Sequence, residues 1–299
     1  MVNGLTLNHR TLNPQPSTHH RFPFYQKFIS RLPLSFAYLR SPEPHKLAKK
    51  KTIFRVFFVP LLVLALSATI IYFVTYYMNR PRFVHYPAFG IDIPVNYNIH
   101  GIDISHHQGN IDWADVKSMQ VQQVRMGFAF IKATEGINDM DEAFRRNWLN
   151  AKLAGLPRGA YHFFNANKSG KAQAENFIEA VTLSKGDLPP VLDIEQTNGA
   201  SVPDIQQHAR DWLLMVEKHY GVKPIIYTNV DYYENFLSPQ FDDYPLWVAH
   251  YLVKDKPRIG RNWIFWQHNE KGHVNGVDAN VDFNVFNGDS TAFKNLLLK

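Results

Sequence analysis

Cysteine is absent from all 299 residues. That excludes thiol nucleophiles, disulfides and cysteine-ligated metal sites, and it leaves the redox compartment open. The phosphate-cradling patterns G-x-x-x-x-G-K-[ST] and G-x-G-x-x-G are also missing. No G-x-S-x-G elbow exists, so Ser105 beside His and Asp is not read as a nucleophile. Histidine is plentiful at 14, but His106 and His107 are adjacent and lack the i, i+4 spacing of a helical metal pair. No metal or cofactor is expected.

Acids are scarce in one region only. Eleven of the 32 Lys/Arg and a single acid, Glu43, precede residue 81, which leaves 21 bases and 25 acids in residues 81–299. The positive net charge of +6 therefore belongs to the N-terminal part. The remainder is mildly acidic, which argues against nucleic acid as a partner.

Charge is missing altogether from Val56 to Met78, VFFVPLLVLALSATIIYFVTYYM. A helix of that length crosses roughly 30 Å of hydrocarbon. It has no polar stripe, and Tyr72, Tyr76 and Tyr77 gather at one end as an interfacial belt would. A cleaved signal peptide is the competing reading. The upstream length and the long apolar run speak against it. Lys46, Lys49, Lys50, Lys51 and Arg55 precede the span, whereas Arg80 and Arg82 follow it. The positive-inside bias then places the N-terminus in the cytoplasm and the rest outside, in the periplasm or at the cell surface. The expected organisation is a disordered basic tail (1–52), a transmembrane helix in contact with the lipid bilayer (53–79), a linker or a segment lying on the domain (80–97), and a barrel domain (98–299).

From His100 onward short apolar runs alternate with amphipathic stretches. Strands are expected at Gly101–Ser105, Phe128–Thr134, Gly159–Phe164, Val191–Glu195, Ile225–Asn229, Leu246–Tyr251, Ile264–His268 and Val281–Phe286. Helices are expected at Trp113–Met119, Asp141–Ala154, Gln173–Leu183 and Ile205–Tyr220, with Phe144, Trp148, Phe177 and Trp212 packing into the core. Strand–helix alternation predicts parallel βαβ units. The fold class is α/β: a TIM-like, eight-stranded β/α barrel with incomplete helices, its final third not regularly covered.

Within PVLDIE, Asp193 and Glu195 stand at i and i+2, on one face of a strand end. Two acids so close cannot both ionise freely, so one should rise in pKa beside a lowered partner. That combination suits glycosidic cleavage, where one acid protonates the leaving oxygen and one carboxylate stabilises positive charge. In a parallel barrel the other strand ends join them. These ends carry Asp103, Ser105, Lys132, Thr134, Glu135, Tyr161, His162, Tyr227, Asn229, Trp247, Tyr251, Gln267 and Asp282. Acids interleaved with Tyr and Trp describe a cleft for sugar rings.

The segments GIDISHHQGNIDW, FAFIKATEG, AGLPRGAYHFF, PPVLDIE, YGVKPIIYTN, PLWVAHY, IFWQH and VDFNVFNG, in this order, resemble glycoside hydrolase family 25, the Chalaropsis-type lysozymes. The resemblance covers roughly residues 98–289. It implies a β/α barrel lacking some helices, and hydrolysis of the β-1,4 bond between N-acetylmuramic acid and N-acetylglucosamine in peptidoglycan. It maps the family's acids onto Asp103, Asp193, Glu195 and Asp282. Glu195 is then the general acid and later the base. Asp193 orients the substrate acetamide, unless a carboxylate attacks directly. Asp103 and Asp282 tune the pair and hold substrate, and Tyr161, Trp247, Tyr251, Gln267 and His107 contact sugar. At His107 the family often has an aromatic residue. A non-catalytic wall-binding module is the alternative from another class. A chitinase-like enzyme is disfavoured, because the residues before Asp193 do not form D-x-x-D-x-D-x-E.

Overall fold

The computed structural model describes residues 51–52, 54–78, 82–251, 253 and 255–299. The tail expected over residues 1–52 falls almost wholly outside the described residues. A π-helical turn, Phe54–Phe58, leads into helix α1, Val59–Met78. No residue of this stretch is buried. Twenty residues of α-helix rise roughly 30 Å.

Residues 83–94, expected within a linker or a segment lying on the domain, form an antiparallel hairpin of β1 (Phe83–Tyr86) and β2 (Ile91–Pro94). The tight turn between them uses Gly90 at φ 69, a conformation that glycine adopts without strain. Tyr86, Phe89, Ile91 and Ile93 are buried in the main hydrophobic core.

Eight further strands close into a barrel in chain order. They are β3 (His100–Ile104), β4 (Val124–Glu135), β5 (Arg158–Phe163), β6 (Val191–Asp193), β7 (Ile225–Asn229), β8 (Leu246–Ala249), β9 (Phe265–Gly272) and β10 (Val281–Phe286). The expected parallel pattern holds from β3 to β9. It fails at β10, which runs antiparallel to both β9 and β3 and closes the ring. The short connection after β9 leaves no room for a crossover helix, so the chain turns back on itself.

Helices α2 (Trp113–Ser118), α3 (Phe144–Leu153), α4 (Gly170–Ala180) and α5 (Val202–Tyr220) cover the first half of the ring. Their boundaries follow capping chemistry. Ser169 caps α4 earlier than the apolar pattern indicated, and Ser201 with a proline in the first turn starts α5. Gly221 ends α5 in the left-handed region at φ 71. Phe144, Phe177 and Trp212 are buried as expected, and Trp148 packs against the core from its edge.

The outer faces of β9 and β10 are covered by the hairpin instead of a helix. Phe89 packs edge-on against Phe283 at 5.4 Å, and Phe83 against Trp266 at 6.0 Å. The inside of the barrel is a second apolar cluster built from Phe128, Phe130, Val191, Ile225, Trp247 and Phe265. Helix α6 (Ser290–Leu296) plugs its lower end with Phe293. Two glycines make room for these rings. A Cβ on Gly101 would lie 2.5 Å from Phe128, and one on Gly159 would lie 2.5 Å from Phe130.

Because Phe89 is fully buried, Phe89→Ala should destabilise the domain by about 3–5 kcal/mol. Thermal unfolding of variant and wild type checks this, and an unchanged transition would mean the hairpin is not part of the cooperative unit.

Candidate active site

The upper strand ends, with the start of the reversed β10, surround a cleft of about 370 Å³. Five carboxylates line it: Asp103, Glu135, Asp193, Glu195 and Asp282. Register explains how they meet. The antiparallel ladder sets Asp282 directly opposite Asp103, and the parallel ladder aligns Asp193 with Phe163 and Tyr227.

Asp103 is the most firmly held. Its Oδ2 accepts hydrogen bonds from Gln267 Nε2 and Asn284 Nδ2, both at 2.7 Å. The donors are themselves oriented. Gln267 Oε1 accepts from the hydroxyls of Tyr227, at 2.7 Å, and Tyr251. Asn284 Oδ1 accepts from Trp247 Nε1 at 2.8 Å. Asp282 is the register partner of Asp103 on the neighbouring antiparallel strand. Burial pushes Asp103 well above the usual carboxylate range, and the neighbouring Asp282 adds to this. The two amide donors offset only part of it. Burial raises Asp282 to about 6. The titration of each acid therefore depends on the charge of the other.

Asp193 ends β6, and Glu195 follows two residues on, outside the strand. Both side chains reach the cleft. Burial raises Asp193 well above its ordinary value, with Glu195 and Asp103 adding to the rise. Burial also raises Glu195. The expected raised-and-lowered pair is thus corrected: both acids are raised. The physical reason lies in where the donors point. The amide groups of Gln267 and Asn284 serve Asp103, whereas the buried Oδ1 of Asp193 has no hydrogen-bond partner.

Tyr161, His107, Gln267 and Trp247 line the same cleft, and Tyr251 touches it through its bond to Gln267. Trp247 does not stand there as an open sugar platform. It is 1% exposed, stacked on Phe130 at 4.3 Å and packed against Tyr227 at 4.4 Å, so it forms the floor beneath the acids. Gln267 is equally buried and orients Asp103. His107 is exposed at the rim, 4.0 Å from the His106 ring, and His106 Nδ1 meets the buried Asp141 at 2.7 Å. Ser105 caps a short 3-10 turn. Among the described residues no group of three potential metal ligands forms. His162, next to Tyr161, points the other way, to Thr134 and Gln173 beneath helices α4 and α5.

Asn284 escaped the sequence reading, and Lys132 and Glu135 were placed at a strand end but not paired. Asn284 stands two residues after Asp282 and shares its face, a signal available in the i, i+2 spacing. Lys132 and Glu135 are three apart, so strict alternation puts them on opposite faces. A register shift between Lys132 and Thr134 brings both to the cleft, where Lys132 Nζ meets Glu135 Oε2 at 2.7 Å.

A closed β/α barrel with an acid pair and an acid dyad at its upper strand ends defines the class: a carbohydrate-cleaving barrel enzyme. The sequence model described as Glycosyl hydrolases family 25 matches residues 102–277, more than half of the chain. The chain belongs to that family. Escherichia coli K12 YegX is 44% identical over 216 residues, covering 72% of this chain and 78% of that one. Lysozyme M1 of Streptomyces globisporus is 38% identical over 208 residues, covering 64% and 69%. The solved structure of a family 25 glycosyl hydrolase from Bacillus anthracis superposes with a TM-score of 0.62 at 36% identity, over 68% of this chain and 95% of that one.

Removing Asn284 takes one donor from Asp103 and leaves the indole N–H of Trp247 unsatisfied. Asn284→Ala should therefore cost about 1–3 kcal/mol of stability, read as a lower Tm. An unaltered Tm would mean that the amide network does not hold the cleft.

Proposed function

We propose that the protein is a peptidoglycan muramidase. It hydrolyses the β-1,4 bond between N-acetylmuramic acid and N-acetylglucosamine. The observation that carries this is the convergence of Asp193 and Glu195 on one cleft, beside the Asp103–Asp282 dyad. The lysozyme among its relatives points the same way.

Glu195 is the general acid. Burial keeps its proton bound closer to neutral pH than on a free carboxylate. That proton passes to the glycosidic oxygen as its bond to the anomeric carbon breaks. In our reading the carbonyl oxygen of the substrate acetamide attacks that carbon and closes a five-membered ring. Asp193 accepts a hydrogen bond from the acetamide N–H. Its buried, unpartnered Oδ1 supports this role, because an acceptor in that state is satisfied when a donor arrives with substrate. Glu195 then takes a proton from water, and the hydroxide opens the ring. Direct attack by a carboxylate is the alternative chemistry. Asp103 and Asp282 hold substrate hydroxyls and set the field around the pair. Tyr161 and His107 contact the sugars from the cleft wall and rim.

We further propose that the apolar stretch 53–79 is a single-pass membrane anchor, with residues 1–52 cytoplasmic and the barrel beside the cell wall. Its length and its lack of buried residues support this reading. A cleaved leader is the alternative. Alkaline-washed membranes should retain the intact chain, and recovery of a chain shortened past residue 79 in the soluble fraction would overturn the anchor.

Incubation with peptidoglycan followed by mass spectrometry of the reducing ends tests the reaction. Fragments ending in reducing N-acetylmuramic acid are expected, with a bell-shaped rate profile on the acid side of neutral. Reducing N-acetylglucosamine ends would change the bond assigned. Retention on the wall without release would favour a binding module. Glu195→Gln should lose at least ~10³-fold in turnover and keep substrate binding. Asp193→Asn should lose a comparable factor. Near-wild-type rates in either variant would remove that residue from its role.

A further inference from the structure

The ladder between β3 and β10 runs from the His100–Val285 row up to the Asp103–Asp282 row, where it ends. Continued upward by two residues, the same register would set Ser105 opposite Asn280. The side chain of Gln108 stands between those two residues instead. The Ser105 backbone N–H donates to Gln108 Oε1 at 2.8 Å, and Gln108 Nε2 donates to the Asn280 carbonyl at 3.0 Å. One partner is a backbone donor and the other a backbone acceptor, so the amide fits in one orientation only. A side-chain amide presents the same C=O and N–H groups as a peptide unit. An amide inserted between two strands parts them by up to one strand spacing, about 4.8 Å.

We propose that Gln108 is a positioning residue, whose amide acts as a surrogate peptide unit that keeps Asp282 in register with Asp103 while the strand ends part above them to admit substrate. The assignment rests on the muramidase reading above, in which Asp103 and Asp282 hold substrate hydroxyls.

The two acids differ in what holds them. Asp103 is gripped by the amides of Gln267 and Asn284. Asp282 stands on the last row of its ladder, where pairing frays most easily. The bond from Gln108 grips the chain two residues before it. Gln108 itself sits in a short turn, His106–Gln108, that is pinned from outside. Asp141 Oδ2 accepts from the His106 backbone N–H at 3.0 Å, and Arg146 donates to the Gly109 carbonyl at 2.7 Å. Farther on, the Asp112 N–H donates to the Gly276 carbonyl at 2.8 Å. The connection after β3 therefore runs beside the loop that enters β10, and Gln108 joins the two next to the acids. Ser105, Gln108 and Asp282 all line the cleft.

The test compares full-length wild type, Gln108→Met and Gln108→Glu by two measurements. Hydrogen exchange read by mass spectrometry over residues 278–284 does not depend on activity. Gln108→Met loses both bonds at nearly the same side-chain length. Its 278–284 segment should exchange about three- to tenfold faster, with the remaining barrel unchanged. In Gln108→Glu a protonated carboxyl still accepts from Ser105 and donates to Asn280, whereas a carboxylate repels the Asn280 carbonyl. Its exchange relative to wild type should be near unity at pH about 4 and rise above pH about 6. In the peptidoglycan-release assay kcat/KM of Gln108→Met should fall about three- to tenfold, chiefly through KM.

Unchanged exchange in Gln108→Met would overturn the assignment. Lost activity without faster exchange would overturn it too, by making Gln108 a direct substrate contact. Faster exchange with unaltered kcat/KM would sever the amide from the function of Asp282. If Gln108→Met does not fold, the exchange of Gln108→Glu decides, and a ratio independent of pH would overturn the assignment. A wild-type protein that releases no fragments would overturn the muramidase reading, while the exchange arm still decides whether the amide holds the seam.

Discussion

The crowding of like charges in a buried cleft is the constraint on which the rest of the site depends. Five carboxylates share a cavity whose floor is made of aromatic rings. Asp103 and Asp193 are buried there, so ionising every acid would cost more than the neighbouring donors return. The barrel resolves this in two ways. Asp103 faces Asp282 across the antiparallel seam and is held there by two amide donors. Asp193 and Glu195 have no such amide support, and their proton affinities are left high. Asp103 is thus satisfied by the protein's own donors, whereas Asp193 Oδ1 is not.

That division depends on support further out. The tyrosine hydroxyls on Gln267 and the indole on Asn284 are second contacts that aim the first. They stand on the aromatic plug that fills the barrel below. The plug in turn needs the missing side chains of Gly101 and Gly159, since any Cβ there would collide with a phenylalanine ring. The outer wall has its own economy. Four helices cover one half, and the hairpin of β1 and β2 supplies apolar cover behind β9 and β10.

Much of this was legible in the sequence where a short-range rule applies. Alternation at i and i+2 places Asp193 with Glu195, and the apolar runs locate all eight barrel strands, Ile225–Asn229 and Val281–Phe286 to the residue. Four features were hidden for identifiable reasons. The direction of β10 is a property of the connection, and an apolar run reads the same either way. The hairpin carries Pro87 and Pro94 and has strands of four residues, so its periodicity is too short to register. The depth of Trp247 depends on what stacks upon it, and a tryptophan at a strand end looks alike as floor or wall. The pairing of Lys132 with Glu135 was obscured by the register shift, which breaks the alternation on which the reading relied.

The order of the strands around the ring has a further consequence. Each barrel strand pairs with the next in the chain, and only the seam between β3 and β10 joins distant segments. Asn284 reaches Asp103 across 181 residues. The local pairings close short loops, whereas the seam closes the longest one. The acid dyad lies on that seam. A nascent or clipped chain lacking β10 therefore carries Asp193 and Glu195 without their counterpart, and the complete set of acids exists only in a finished barrel.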